Sequence, residues 1–234
     1  MDRYNRNQLI KGIGSEGQKA LYEAKVLVVG AGGLGSPCLL YLAAAGIGTI
    51  GIVEYDKVDI SNLQRQILYS EKDIGLFKID SAEKRLQALN SEIKINKHPY
   101  KLTSLNVKEL IYDYDFIVDC SDNFETKYLI NDTCVKLDKP FSFGTVIAMQ
   151  GQVFTYTPGN SSLRNIFGPP PLVENQVKAS QIGILGAMSG MIGSIQATEV
   201  VKYFTGIGEL LINKLLIING IDFSLQVLTL SPEK

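Results

Sequence analysis

The stretch from Lys25 to Glu54 constrains this chain most. A β-branched run, KVLVV, ends at Gly30, the sequence GAGGLG follows without a gap, and an apolar run from Leu34 to Ala45 comes next. A strand that enters three spaced glycines and leaves as a helix opens a βαβ unit. The glycines allow a tight turn and let a phosphate approach backbone N–H groups at the positive end of the helix. A second strand, Thr49 to Glu54, ends in a carboxylate placed to accept hydrogen bonds from ribose hydroxyls. Gly30, Gly32 and Gly35, with Gly33 among them, therefore predict nucleotide binding, and by themselves would serve NAD, FAD or ATP alike.

The remainder repeats the alternation. Ile79 to Leu89 has the spacing of an amphipathic helix, Phe116 to Asp119 reads as a buried strand, Phe124 to Leu137 as a helix and Pro140 to Gly144 as the start of a strand. The expected fold class is α/β, a Rossmann-type, doubly wound and mostly parallel sheet. Residues 157–178, rich in Pro, Gly, Ser and Asn, read as an exposed crossover loop. Beyond it, Ile184 to Phe204 reads as a long buried helix, and strands around Leu215–Ile218 and Leu225–Leu230 form a C-terminal antiparallel extension. The residues before Lys25 read as a polar arm. With 234 residues and 45% apolar content, and no linker-like stretch, residues 1–234 are expected to form a single domain.

Composition narrows the chemistry. Lys and Arg total 23 against 24 Asp and Glu, so no global field draws the chain to nucleic acid or to an anionic membrane. The polar N-terminus and the lack of a spanning apolar run lead to a cytoplasmic expectation. Cys38, Cys120 and Cys134 fit neither a disulfide framework nor a metal knuckle, and read as small buried hydrophobes. His98 is the only histidine, so chemistry that requires a histidine base starts at a disadvantage.

The polar segment after the second strand discriminates between nucleotides. Asp56 to Gln66, DKVDISNLQRQ, followed by Lys78, sets Asn62, Arg65 and Lys78 beside the glycine turn. A hydride-transfer enzyme has no use for cations there, whereas attack on a triphosphate needs them. Either cation alone would read as a solvated surface charge; together with the glycine turn they favour phosphate chemistry.

At this point the chain resembles the MoeB/ThiF/HesA group, bacterial relatives of ubiquitin-activating E1 enzymes. RYNRNQ at Arg3–Gln8, GAGGLGS at Gly30–Ser36, SNLQRQ at Ser61–Gln66, CSDN at Cys120–Asn123, GQVFTY from Gly151 and GSIQATEVVK from Gly193 carry the resemblance. It implies an E1-like adenylation domain that uses ATP and Mg2+ to adenylate the C-terminal Gly-Gly carboxylate of a ubiquitin-like sulfur carrier protein. It implies that Glu54 binds the ribose, that Asn62, Arg65 and Lys78 contact phosphates, and that Asp122 holds magnesium. Asp56, Gln66 and Asn123 complete the expected nucleotide site. Arg6 is expected to reach the ATP of a neighbouring subunit, which implies a homodimer. Such chemistry needs no general base, because a C-terminal carboxylate is already ionised at neutral pH.

Three departures stand out. Many relatives bind a structural zinc through two CxxC pairs; here Ser162 and Asn165 occupy the first pair's positions and the chain runs out as LSPEK, so no zinc site is expected. Ala179 replaces a cysteine available for covalent chemistry, which leaves sulfur transfer to a separate sulfurtransferase. Glu54 stands where Asp is more usual. Three alternatives stay open at this level: an NAD-dependent oxidoreductase, an inactive scaffold that binds a ubiquitin-like protein, and an enzyme activating a tRNA or small-molecule carboxylate. A membrane partner is not expected, nor is a large nucleic-acid footprint.

Overall fold

The computed structural model describes residues 3–172 and 182–230. In chain order its strands are β1 (Lys25–Val29), β2 (Thr49–Val53), β3 (Lys94–His98), β4 (Phe116–Asp119), β5 (Phe141–Ile147), β6 (Gln150–Tyr156), β7 (Lys214–Asn219) and β8 (Ser224–Thr229). They form one sheet in the order β3-β2-β1-β4-β5-β6-β7-β8. β1 to β5 pair in parallel and β5 to β8 antiparallel. The doubly wound sheet and the C-terminal antiparallel extension are thus as the sequence led us to expect.

The helices are α1 (Asn5–Gln8), α2 (Gly14–Glu23), α3 (Gly35–Ala45), α4 (Lys78–Leu89), α5 (Val107–Tyr112), α6 (Phe124–Lys136), α7 (Leu163–Phe167) and α8 (Gly186–Thr205). They cover both faces of the sheet. Val26 and Val28 of β1 join an apolar layer with α2, α3, α4 and α8, while Leu27 and Val29 join a second layer with α5, α6 and α7. Burial on both faces explains why KVLVV is apolar without alternation. The chain leaves β1 toward β2 on one side and reaches β4 on the other, so the strand order reverses between β1 and β4. Ligands of open α/β sheets bind outside the carboxyl ends of the strands at such a point.

Five parts of the chain depart from the sequence reading. The arm before β1 is helical: Leu21 of α2 is fully buried, the Asn90 amide donates to Tyr4 Oη at 2.8 Å, and Arg3 donates to the Leu89 carbonyl at 2.8 Å. β3, β6 and α5 had no counterpart in the sequence reading; β3 (KINKH) is a half-exposed edge strand with no continuous apolar run. The crossover segment is partly buried, with Ser161, Ser162 and Leu163 inside. Its helix α7 begins with a capping box in which Ser162 N and Oγ both donate to Asn165 Oδ1 at 2.8 Å. Residues 173–178 of that segment, and Ala179, lie outside the described residues.

Candidate active site

The glycine turn does two separate things. Gly30 has φ +95°, and a Cβ there would stand 2.8 Å from the Cys120 carbonyl oxygen; a Cβ on Gly35 would stand 2.0 Å from the Gly30 carbonyl. These two glycines are compelled by the packing of the chain against itself. Gly32 and Gly33, and Gly30 with them, line a cleft of about 640 Å³ at the carboxyl ends of β1, β2 and β4, which Gly35 does not. Between Gly30 and Gly32, Ala31 is pinned on both sides: its N–H donates to Glu54 Oε2 at 3.1 Å and its carbonyl accepts from Tyr69 Oη at 2.8 Å.

Glu54 is buried at the end of the second strand run and faces the cleft. Its other oxygen accepts from the N–H groups of Tyr55 and Asp56 at 2.8 and 2.9 Å. Three backbone donors hold the carboxylate at one position, and carboxylate oxygens have further lone pairs for ribose hydroxyls. Lys78 opens α4, is buried, and sets Nζ 3.4 Å from Asp56, which is itself exposed. Arg65 follows the short turn Ile60–Asn62 and donates to the Ser61 carbonyl at 3.1 Å. Both cations line the cleft, as do Asp56, Gln66, Asp122 and Asn123.

Asn62 and Arg6 do not line the cleft of their own chain. The Asn62 side chain is engaged in the cap of its own turn, accepting from Asp59 N–H at 3.3 Å, and Asn62 is not among the lining residues. Arg6 is exposed on α1 and does not line the cleft of its own chain.

The loop after β4 presents Asp122 with an exposed carboxylate whose side-chain contact is the Asn123 amide at 3.3 Å. Asn123 is the N-cap of α6, accepting from Thr126 N–H at 2.9 Å, so the cap and the candidate cation ligand are adjacent residues. Beneath them lies a pair the sequence reading missed. Lys127 and Asp119, both buried, form an ion pair at 3.2 Å. Ser121, Thr145, Ser189 and Lys101 also line the cleft without having been singled out. A lysine in the first turns of an amphipathic helix gives no signal of burial, because only the position of β4 and β5 beneath α6 creates it.

Both expected ligands suit this arrangement. The first residues of α4 and α6, Lys78 and Phe124, line the cleft, so two helix N-termini border it and favour an anion. Gln66 Oε1 is buried on the cleft wall without a hydrogen-bond partner, a cost a bound ligand or water removes. Among the described residues no group of three or more His, Cys, Asp or Glu is placed to hold a metal. A single carboxylate, Asp122, completed by substrate phosphates is a donor set that magnesium accepts. Cys120 lines the cleft, but burial, with neighbouring Cys38 adding to it, pushes its thiol well above the ordinary range, and burial does the same to Cys134. Neither is poised as a thiolate.

A doubly wound sheet, a glycine turn at its switch point and two cations lining the cleft beside it define the class: a Rossmann-type domain. The ThiF family model matches residues 4–234, and the chain belongs to that family. It is 43% identical over 233 residues to the "Adenylyltransferase and sulfurtransferase MOCS3" of Culex quinquefasciatus, covering 99% of this chain and 53% of that protein. It is 42% identical over 237 residues to the "Sulfur carrier protein adenylyltransferase" of Thermus thermophilus, covering 98% of this chain and 87% of that protein. The chain thus spans about half the length of the MOCS3 relatives. Among solved structures, the complex of E. coli MccB with ATP superposes with a TM-score of 0.89 at 22% identity, covering 99% of this chain and 72% of that one, a likeness of fold.

Proposed function

We propose that this chain is an ATP-dependent adenylyltransferase acting on the C-terminal Gly-Gly carboxylate of a ubiquitin-like sulfur carrier protein. The observation that carries it is the convergence of Lys78, Arg65 and Asp122 on the cleft beside Gly32 and Gly33, in a chain 42% identical to a named sulfur carrier protein adenylyltransferase. Residues 1–234 act as one adenylation domain, in the cytoplasm and as a homodimer in which Arg6 serves the partner's site. No helix among the described residues is long and apolar enough to cross a membrane.

In the mechanism this reading implies, the carrier's carboxylate oxygen attacks the α-phosphorus of ATP, the bond to the bridging oxygen breaks, and pyrophosphate leaves. The carboxylate is ionised at neutral pH, so no residue takes a proton. The barrier lies in bringing an anion to a triphosphate, and the chain's own residues address it. Glu54 orients the ribose, the glycine turn offers backbone N–H groups, and Lys78 and Arg65 neutralise phosphate charge. Asp122 would hold magnesium, which when bound would supply further neutralisation of phosphate charge. The acyl-adenylate then passes to a separate sulfur donor, in thiamine or molybdopterin biosynthesis or a related pathway.

The test is exchange of labelled pyrophosphate into ATP, with magnesium, in the presence and absence of a carrier ending in Gly-Gly. Carrier-dependent exchange is expected. Tight ATP binding with no exchange for carriers of the thiamine and molybdopterin type overturns the carrier as substrate.

A further inference from the structure

The loop that carries Asp122 is anchored by a buried charge pair. Asp119, the last residue of β4, is almost fully buried, and its Oδ1 accepts from both Ser121 N–H and Ser121 Oγ, at 3.0 and 2.5 Å. Its Oδ2 receives Lys127 Nζ at 3.2 Å. Lys127 in turn donates to the Gly144 carbonyl at 2.8 Å and stands 4.8 Å over the Phe143 ring. One carboxylate therefore joins β4, α6 and β5 to the residue that precedes Asp122. On the other side Asp122 is followed by Asn123, fixed as the cap of α6.

Stability alone does not explain such a pair. Burying two charges costs desolvation, and a well-packed apolar pair of similar volume commonly does as well or better. The charges do, however, hold Ser121, the residue just before Asp122. We propose that Asp119 and Lys127 are positioning residues for the cation ligand: through Ser121 they hold the Cys120–Asn123 loop so that Asp122 meets a divalent cation on the nucleotide phosphates. This rests on the adenylation reading above and deepens it. Neither residue lines the cleft, so neither touches the nucleotide.

The readout is cation binding, measured apart from turnover. Mn2+ is titrated by electron paramagnetic resonance into the full chain with ATP, and ATP affinity is measured separately in excess chelator. In Asp119→Asn/Lys127→Met, which removes both charges at nearly constant volume, Mn2+ affinity of the ATP complex should fall about 10-fold or more, as for loss of an outer partner to a metal ligand. Metal-free ATP affinity should stay within about 2-fold, since the glycine turn, Lys78 and Arg65 are untouched. Lys127→Arg, which keeps the cation, should retain most of the Mn2+ affinity. A neutral pair that binds Mn2+ and ATP as the wild type does overturns the proposal. If the neutral pair does not fold, Ser121→Ala decides: it deletes the shortest anchoring bond, and unchanged Mn2+ affinity in that variant overturns the proposal equally. A wild-type chain that binds ATP but no Mn2+ beside it removes the adenylation reading itself.

Discussion

At Gly35 a Cβ would stand 2.0 Å from the Gly30 carbonyl oxygen, a separation that only backbone movement relieves, whereas at Gly32 the nearest atom is Gln66 Nε2 at 3.6 Å. The two positions should therefore fail differently. Gly35→Ala is expected to lower stability by about 1–3 kcal/mol, at the upper end because the clash is with backbone, and to be seen as a drop in the denaturant midpoint. Gly32→Ala should leave that midpoint nearly unchanged and weaken ATP binding, since Gly32 lines the cleft and its methyl group would approach Gln66 on the cleft wall. Equal loss of stability in both variants would refute the division between a packing glycine and a ligand-facing one. The motif itself was plain in the sequence, but which glycine does which job was not, because Gly30 is confined by Cys120, ninety residues away. Asn62 shows the converse. Its place in SNLQRQ suggests a phosphate contact, and the structure adds a second use, its Oδ1 capping a turn with Asp59.

Among the elements, the crossover segment shows how irregular backbone is held by partners within and beyond it. Ser162 and Asn165 bond to each other, Leu163 N–H donates to Asn131 Oδ1 at 2.8 Å, Tyr128 Oη donates to the Gly168 carbonyl at 3.0 Å, and Ser161 N–H donates to Asn213 Oδ1 at 2.9 Å. Arg164 adds a two-pronged pair with Asp132 at 2.6 and 2.7 Å, but both side chains are exposed, so its net contribution is small. Asn165→Ala, which removes the acceptor of the cap, should cost about 1 kcal/mol in urea unfolding. It should also speed proteolysis within residues 157–172, while Arg164→Ala does neither to a comparable degree. A segment no more susceptible in Asn165→Ala than in the wild type would deny the cap this role. Sequence pattern failed here for a physical reason: Pro, Gly, Ser and Asn mark irregular backbone, and irregular backbone is buried only when its polar groups find partners elsewhere in the chain. β3 and α2 escaped notice for a related reason, since half-exposed elements carry too few apolar residues to stand out.

For the molecule as a whole, the sheet and most of the cleft were legible because both follow from one contiguous βαβ signal. The buried Asp119–Lys127 pair was not, since it depends on three segments meeting. Global stability offers one clean proton-linked test, because His98 is the only histidine. Its ring contacts Tyr100 Oη at 3.1 Å and Tyr114 Oη at 2.8 Å, and burial lowers its pKa from the ordinary 6.5, with Asp113 opposing. The unfolded chain thus binds this proton more readily, so its contribution is present above about pH 6.5 and is lost as pH falls through the lower folded value. The urea midpoint should decline between about pH 6.5 and 5, above the carboxylate range, and His98→Gln should flatten that decline. The subunit arrangement can be tested by mixing. Arg6 is exposed and absent from its own cleft, whereas Lys78 is buried within it, so on the homodimer reading a complete site draws Lys78 from one chain and Arg6 from the other. Arg6→Ala and Lys78→Ala should each abolish pyrophosphate exchange alone. After dissociation and random reassociation, half the dimers are mixed and each holds one intact site, so exchange should return to about a quarter of the wild-type level. If Arg6 served its own chain's cleft, every site in a mixed dimer would lack either Arg6 or Lys78, and mixing would restore nothing.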